Sequence, residues 1–237
     1  MRNREHRPFT TGDTGATKPV LVITGTIAEA KLAAGPGVVT LAGGGDGARL
    51  AAAIARVAPT CCGIISFGTG GGLSPELALG AVVIGARVIA ADTDCDPRWS
   101  QALAAALPGA RRGAIFADGR LLARHADKAA AAATGAVLAD MESHLAAAAA
   151  ARHRLPLAVL RCVSDPLAAQ LPDAVGVAMR PDGGLAIPAI LASLLRRPGQ
   201  IPALCATGLG FARSFAALRR AAEAAGPRLG FDRSGLA

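Results

Sequence analysis

The chain has 237 residues, 52% of them apolar, which is enough for one α/β domain with a large core and does not demand a second domain. Its formal charge of +8 suits nucleic acid, an anionic membrane surface or simple solvation, but 3% aromatic residues and no tyrosine leave no stacking platform for single-stranded nucleic acid. Five cysteines without a CxxC pair or a Cys/His cluster indicate neither a disulfide framework nor a zinc site and fit a reducing compartment best.

The first part of the chain is polar. Residues 1–18 are rich in Arg, Thr and Gly and lack the apolar stretch of a signal peptide, and no uncharged twenty-residue span follows. We therefore expect residues 1–18 to be a disordered extension and residues 19–237 to form a single domain of a cytoplasmic protein.

Strand and helix patterns alternate from residue 20 onward. Short β-branched and apolar runs are typical of strands, and alanine-rich stretches favour helices. The predicted elements, in chain order, are strand 20–24, helix 27–33, strand 38–41, helix 48–57, strand 62–67, a glycine-rich loop 68–75, strand 81–90, helix 98–107, strand 114–117, helix 120–133, strand 136–139, a helix that ends at His153, and strand 157–163. This alternation predicts an α/β sheet whose site lies where the strands end.

The chain from Ala186 onward is predicted to be helical, and residues 184–224 form a basic, apolar segment. No acidic residue occurs between Gly183 and Ala222. Apolar and basic positions fall on different helical faces, with Leu204, Phe211, Phe215 and Leu218 at helical spacing and Arg196, Arg197, Arg213, Arg219 and Arg220 in the same segment. A helix at a membrane interface and a packing helix with a solvated basic edge both have this pattern.

A first glycine motif suggests a dinucleotide site but fails a second test. Gly43-x-Gly45-x-x-Ala48 follows a predicted strand and opens a helix, as the dinucleotide fingerprint does. No acidic residue occurs between Asp46 and Glu76, so nothing stands about 20 residues further on to hold a ribose hydroxyl. The sequence therefore predicts no nicotinamide or flavin cofactor.

Polar motifs follow three other predicted strands. They are Gly68-Thr69-Gly70-Gly71-Gly72-Leu73, Asp140-Met141-Glu142 and Arg161-Cys162-Val163-Ser164-Asp165. A parallel sheet brings all three to one edge. In order and spacing they resemble the nucleoside phosphorylase and nucleosidase superfamily, especially the branch that cleaves methylthioadenosine and S-adenosylhomocysteine. The resemblance covers about residues 20–166 and implies a three-layer sandwich, with helices on both sides of a central, twisted, mixed but mostly parallel β-sheet.

The resemblance also implies roles for these residues. Glycosidic cleavage passes through an oxocarbenium-like state, which a carboxylate near the sugar stabilises, while a protonated acid helps the base to leave. By resemblance, Glu142 holds the ribose hydroxyls, and Asp165 protonates or hydrogen-bonds N7 of a purine, which requires a carboxyl that keeps its proton, as burial favours. Further substrate-binding positions are Met141, Thr69, Gly70 and Ser164. Taken singly, Asp165 is better explained as a turn residue and Glu142 as a first-turn helix residue, but the shared order of the three motifs favours the functional interpretation.

The nucleophile has two interpretations. Nucleosidases of this group have a glutamate after the first strand that activates water, and Glu29 is the match here, with a solvated helix residue as the alternative. Gly25, Gly68 and Thr69 are the expected neighbours of the nucleophilic water or phosphate. Phosphorylases have an arginine just ahead of the glycine-rich loop, where this chain has Ser66, and loss of that cation weakens a phosphate site. Hydrolysis is favoured, and phosphorolysis stays open because another basic side chain can supply the charge.

The residues expected near the purine base and the carboxy-terminal segment narrow the range of substrates. The family has an aromatic residue that stacks on adenine before the Met-Glu pair, and Phe116 is the candidate, while Asp118 either reaches the base or caps a helix. The carboxy-terminal segment, with Arg196-Arg197-Pro198-Gly199-Gln200-Ile201-Pro202, is similar to the ending of the hopanoid-associated phosphorylases. That resemblance implies removal of adenine from adenosylhopane, a nucleoside with a triterpenoid tail.

The sequence thus predicts an enzyme, a purine nucleosidase or nucleoside phosphorylase of hopanoid biosynthesis, with neither a cofactor nor a metal. Its partners would be the nucleoside, water or inorganic phosphate, and the inner membrane surface as a peripheral contact, but not nucleic acid; the resemblance also implies a homo-oligomer. A methylthioadenosine/S-adenosylhomocysteine nucleosidase is the alternative enzyme. A noncatalytic module that binds a lipid surface is the alternative of another class.

Overall fold

The computed structural model describes residues 17–178, 180 and 182–237, so nearly all of the predicted disordered extension lies outside the described residues. The strands are β1 (Val20–Thr24), β2 (Val38–Ala42), β3 (Gly63–Gly72), β4 (Val82–Val88), β5 (Thr93–Asp94), β6 (Arg111–Ala117), β7 (Ala136–Asp140) and β8 (Leu157–Asp165). The helices are α1 (Ile27–Ala33), α2 (Gly47–Val57), α3 (Pro97–Ala106), α4 (His125–Ala132), α5 (Ser143–His153), α6 (Asp173–Gly176), α7 (Ile187–Arg196) and α8 (Ile201–Ala225), with short 3-10 turns at Ala58–Thr60, Pro198–Gln200 and Pro227–Ser234.

All eight strands form one mixed sheet. Its order is β2-β1-β3-β7-β6-β4-β5, and β8 pairs with both β3 and β4. The pairs β1–β2, β1–β3, β3–β8, β4–β6 and β6–β7 are parallel, whereas β3–β7, β4–β5 and β4–β8 are antiparallel. The predicted fold class, a mostly parallel mixed sheet, is confirmed.

Helices cover both faces of the sheet because the strand side chains alternate between two cores. In β1, Leu21 and Ile23 pack into one core with Leu50 and Ile54 of α2. Val20 and Val22 pack into the other, where α3 and the second half of α8 contribute Trp99 and Leu218, among others. The three-layer arrangement follows directly from this alternation.

The prediction of a loop from residue 68 was wrong, because β3 continues through the glycines as far as Gly72. Gly71 and Gly72 pair with Ala139 and Leu138 of the antiparallel β7. A Cβ atom at Gly70 would lie 2.6 Å from the carbonyl oxygen of Ala139, so only glycine lets the two strands approach this closely. Tertiary pairing here overrides the low strand propensity of glycine.

Helix 120–133 was also predicted too long, since α4 starts only at His125. Gly119 has a φ of 83°, and the Asp118 carboxylate accepts hydrogen bonds from the backbone and the side chain of Arg120, which holds the chain out of helical geometry. The predicted carboxy-terminal helical segment is two helices, α7 and α8, separated at Pro198 and Gly199.

Candidate active site

A pocket opens at the edge of the sheet where β1, β3, β7 and β8 end. Its walls include the predicted positions Gly25, Glu29, Thr69, Gly70, Met141, Glu142, Ser164 and Asp165. The structure thus brings together most of the residues that the motifs singled out. Gly68 does not line the pocket wall but lies directly behind it: a Cβ atom there would be 2.8 Å from Glu29 Oε1.

Glu29 is buried, with 2% of its surface exposed, and is not a solvated helix residue. It is the third residue of α1, where it forms a capping box with Thr26. Its Oε2 accepts hydrogen bonds from the backbone of Gly25 (3.1 Å) and Thr26 (2.9 Å). Its Oε1 accepts from the backbone N (2.8 Å) and the hydroxyl (2.9 Å) of Thr69. The carboxylate therefore joins the end of β1 to the glycine-rich half of β3.

A buried arginine of β8 organises the side of the pocket that carries Glu142. Arg161 is 1% exposed and lies 3.2 Å from Asp140 Oδ2 and 3.6 Å from Glu142 Oε2. It also donates to the Ser66 hydroxyl (2.5 Å) and to the Thr69 carbonyl oxygen (3.2 Å). The buried cation reaches the position of Ser66 from another strand, but the Asp140 carboxylate already balances its charge.

The Asp140 side chain fixes the backbone at Glu142. Its Oδ1 accepts hydrogen bonds from the backbone N of Glu142 (2.8 Å) and Ser143 (2.7 Å), at the start of α5. The pKa of Glu142 is raised to about 8, mainly by burial and also by the nearby Asp140 and Glu29 carboxylates, while Arg161 opposes the shift. A Cβ atom at Gly25 would lie 3.1 Å from Glu142 Oε1, so glycine leaves space between this carboxyl and Glu29.

Asp165 ends β8 and faces the same pocket, where it has two partners. Ser164 Oγ lies 2.6 Å from Asp165 Oδ1 and also 3.1 Å from the Gly70 carbonyl oxygen. The ammonium of Lys128, on α4, donates to Asp165 Oδ2 at 2.5 Å.

Phe116 does not reach the pocket, contrary to its predicted role at the base. The neighbouring Ile115 and Ala117 of β6 point into the core, and Phe116, on the opposite side of the strand, packs against a small cluster that contains Leu73 and Ala131. The aromatic side chain in the pocket wall is Phe211 of α8. Asp118 binds Arg120, which itself lines the pocket with Leu121 and Leu122.

Sequence reasoning missed four residues of the site: Thr26, Asp140 as a ligand of the backbone, Lys128 and Phe211. The Thr-x-x-Glu spacing of Thr26 and Glu29 is a capping-box signal visible in the sequence. Lys128 has no such signal, because it is a single lysine in an alanine-rich helix. Phe211 was assigned to an apolar helix face, but nothing in its spacing places that face over the pocket.

No protein-family model and no curated protein matches the chain. Solved structures do match it. A 5′-methylthioadenosine/S-adenosylhomocysteine nucleosidase from S. pneumoniae, with the transition-state inhibitor MT-ImmA, is 16% identical, with a TM-score of 0.58 over 88% of this chain and 100% of that one. The chain has the nucleosidase fold.

Two further structures with the nucleosidase fold are similar over less of the chain. The nucleosidase from Colwellia psychrerythraea 34H, in complex with adenine, is 17% identical, with a TM-score of 0.56 over 63% of this chain and 83% of that one. A futalosine hydrolase mutant from Helicobacter pylori is 10% identical, with a TM-score of 0.55 over 65% and 90%. The superfamily resemblance seen in the motifs is thereby confirmed as a shared fold.

Proposed function

We propose that this protein cleaves the N-glycosidic bond of an adenine nucleoside. The observation that carries the proposal is the convergence of three buried carboxyl groups, those of Glu29, Glu142 and Asp165, on one pocket at the sheet edge. Burial of so many acidic groups is expensive, and perturbed titratable groups gathered in a cleft are typical of active sites. Solved proteins of the same fold are described as nucleosidases and bind adenine or nucleoside analogues.

Each carboxyl suits one part of the reaction. Glu29 accepts a proton from the attacking water, and Glu142 accepts hydrogen bonds from the ribose hydroxyls while positive charge develops on the sugar. Asp165 gives a proton to N7 of the departing adenine. Met141 and Ser164 complete the wall around the nucleoside, and Thr69 and Gly70 line the ribose side.

Water is a better nucleophile for this site than phosphate. A bound phosphate needs hydrogen-bond donors, but the Thr69 backbone N–H and hydroxyl and the Gly25 N–H already donate to the Glu29 carboxylate. Arg161 is engaged by Asp140 and Glu142. A second anion beside Glu29 would be repelled, so we favour hydrolysis over phosphorolysis.

For the substrate, we propose adenosylhopane, in keeping with the similarity of the tail to the hopanoid-associated phosphorylases. Phe211 connects α8 to the pocket, and the N–H of Ile27 donates to the carbonyl oxygen of Gly183, just ahead of α7. The apolar helices therefore adjoin the end of the pocket near α1. Methylthioadenosine or S-adenosylhomocysteine is the second candidate, since several similar structures are nucleosidases for these compounds.

A peripheral membrane contact would present such a substrate, and the carboxy-terminal helices are suited to it. Helix α7 buries no residue, and Ile187, Leu191 and Leu195 lie four residues apart on an exposed face, with 85% of Leu195 exposed. Residues Pro198–Ala225 are long and apolar enough to cross a membrane by length and composition alone. Because the second half of α8 packs in the core, we propose contact with an anionic lipid surface and not a membrane span.

An adenine-release assay tests the proposed function. Purified protein is incubated with adenosylhopane or methylthioadenosine, each with and without phosphate, and the products are separated. We expect adenine and a ribose that still carries the triterpenoid at its 5′ carbon, with a free hydroxyl at C1′, and a rate at least about a hundredfold lower for Asp165→Asn, since general acid catalysis supplies about 10²–10⁴-fold. Ribose 1-phosphate would contradict hydrolysis, and no release from any nucleoside would favour the noncatalytic lipid-binding module.

A further inference from the structure

Lys128 is a buried charged group in the pocket that the proposed mechanism leaves without a role. It is 1% exposed, on the fourth position of α4, and lines the pocket. Its ammonium donates to Asp165 Oδ2 (2.5 Å) and to the carbonyl oxygens of Pro166 (2.9 Å) and Ala169 (3.0 Å). A buried lysine is costly unless its charge is balanced, and here one carboxylate and two carbonyl groups surround it.

The hydrogen bonds around Lys128 accommodate two proton positions. As an ammonium, Lys128 has three N–H donors for its three acceptors. If one proton moves to Asp165, the neutral amine keeps two N–H donors for the carbonyl oxygens of Pro166 and Ala169, and its lone pair accepts the new O–H of Asp165. In both arrangements every buried donor and acceptor of the pair has a partner, so the proton can move without leaving a polar group unsatisfied.

We propose that Lys128 acts through Asp165 as a positioning residue and proton reservoir for release of the base. This inference rests on the proposed function. When the C1′–N9 bond breaks, its electron pair goes to the base, and N7 takes a proton from Asp165. That proton reaches Asp165 from the ammonium of Lys128, and the amine left behind is reprotonated from solvent. The proton lost by the attacking water goes to Glu29 and then to solvent, so the reaction is balanced.

The reservoir predicts a particular pH profile. A carboxyl alone loses its proton as pH rises, whereas the pair with Lys128 keeps one proton to higher pH because lysine is the weaker acid. Other charged groups surround the pair without contacting Lys128 Nζ at hydrogen-bonding distance in the described part of the chain; they are Arg120, Arg124, His125, Asp127, Asp140, Glu142 and Arg161. Glu142, whose pKa is about 8, adds its own pH dependence, so the test must cancel it.

A comparison of two leaving groups isolates the reservoir. Adenine needs a proton to leave, whereas 4-nitrophenolate does not, so an adenine nucleoside and 4-nitrophenyl β-ribofuranoside share the sugar and Glu142 but differ in their need for Lys128. For Lys128→Met we expect the ratio of adenine to nitrophenol release to fall by about tenfold per pH unit above pH 7, as an unassisted carboxyl titrates. The wild-type protein and the control Lys18→Met, at an exposed lysine, keep a nearly constant ratio up to about pH 9.

A second variant distinguishes loss of the proton reservoir from loss of the folded structure. Lys128→Arg keeps a cation beside Asp165 but does not give up a proton, so we expect slow adenine release at every pH and normal nitrophenol release. Wild-type adenine release in Lys128→Arg, or a ratio in Lys128→Met that does not change with pH, would overturn the reservoir. If the wild-type protein cleaves neither compound, the proposed function itself fails; this result differs from the failure of Lys128 alone, in which the wild type remains active.

Discussion

The pocket and the carboxy-terminal helices differ in which groups they bury: the pocket buries charged side chains, whereas the helices expose apolar ones. In the pocket, the buried ions are matched: Arg161 with Asp140, and Lys128 with Asp165. On α7 and the first half of α8, apolar side chains are exposed and the segment contains basic but no acidic residues. Matched buried charges hold reacting groups in one geometry, whereas an open apolar and basic surface suits a soft anionic partner.

Removal of the central cation should have the largest effect on the pocket. Arg161→Met leaves the Asp140 carboxylate buried without its counter-ion, and we expect a loss of about 3–5 kcal/mol in the free energy of unfolding, as for other broken buried ion pairs. Urea unfolding measures the change. Arg56→Met, at an exposed arginine of α2, is the matched control and should change stability by less than about 0.5 kcal/mol. Equal losses in the two variants would contradict the matched-charge description.

The second largest effect is expected from a substitution of Glu29. Glu29→Gln retains the size of the side chain but removes the proposed base for the attacking water, so kcat for adenine release should fall by about 10²–10⁴-fold. Glu76→Gln, at an exposed glutamate that pairs with Arg111, serves as the control. A Glu29→Gln variant with nearly wild-type kcat would show that another group accepts the proton from water.

The raised pKa of Glu142 gives a pH dependence with a defined sign. In the folded protein this carboxyl stays protonated up to about pH 8, whereas its ordinary pKa is 4.5. The folded state therefore holds a proton that the unfolded state releases between these values, and the free energy of unfolding should fall by about 1.4 kcal/mol per pH unit across that window. Glu142→Gln should remove this slope, which urea titrations from pH 5 to 8 would detect.

Nucleoside binding should depend on pH in the opposite direction. The ribose hydroxyls donate to an ionised carboxyl, so the affinity for an uncleavable adenine nucleoside analogue should rise by up to about tenfold per pH unit towards pH 8 and then level off. Calorimetric titration of the wild-type protein and Glu142→Gln measures this difference. An affinity that is flat or falls from pH 6 to 8 would show that Glu142 does not hold the ribose.

The helix surface should give the smallest effect on catalysis and a separate effect on lipid binding. Leu191→Glu with Leu195→Glu places two negative charges on the exposed face of α7, and we expect at least about tenfold weaker flotation with anionic vesicles. Ala52→Glu with Ala55→Glu adds the same charge to exposed positions of α2 and should float normally. Release of adenine from a soluble nucleoside should not change in either variant. Equal losses of flotation would show that net charge alone, and not the α7 face, governs binding.

Local sequence patterns were sufficient where an element depends on its own residues. The β-branched run Val20–Thr24 and the capped helix Ile27–Ala33 were predicted with the bounds that the structure has. The glycine half of β3 was not, because its strand geometry depends on pairing with β7, far away in the sequence. The non-helical conformation of residues 120–124 likewise depends on the Asp118 side chain, which binds the backbone of Arg120, and not on helix propensity.

The candidate site shows the same limit. The motifs placed Glu142 and Asp165 at the sheet edge, and the resemblance added Glu29, all of which line the pocket. Phe116 was wrong because a short strand pattern does not tell which of two alternating faces looks towards the ligand. Lys128 could not be predicted, because its contact with Asp165 forms only when α4 packs against the assembled sheet.

Crowding around the glycines of β3 limits which positions of the site tolerate substitution. At Gly68 and Gly70 a Cβ atom would lie within 2.8 Å of neighbouring atoms, so almost any substitution there displaces the Glu29 or β7 side of the site. Change towards new substrates is therefore easier at other pocket-lining positions, such as residues 120–122 and Phe211. A directed-evolution library restricted to those four positions should alter selectivity while the sugar-cleaving chemistry is inherited unchanged.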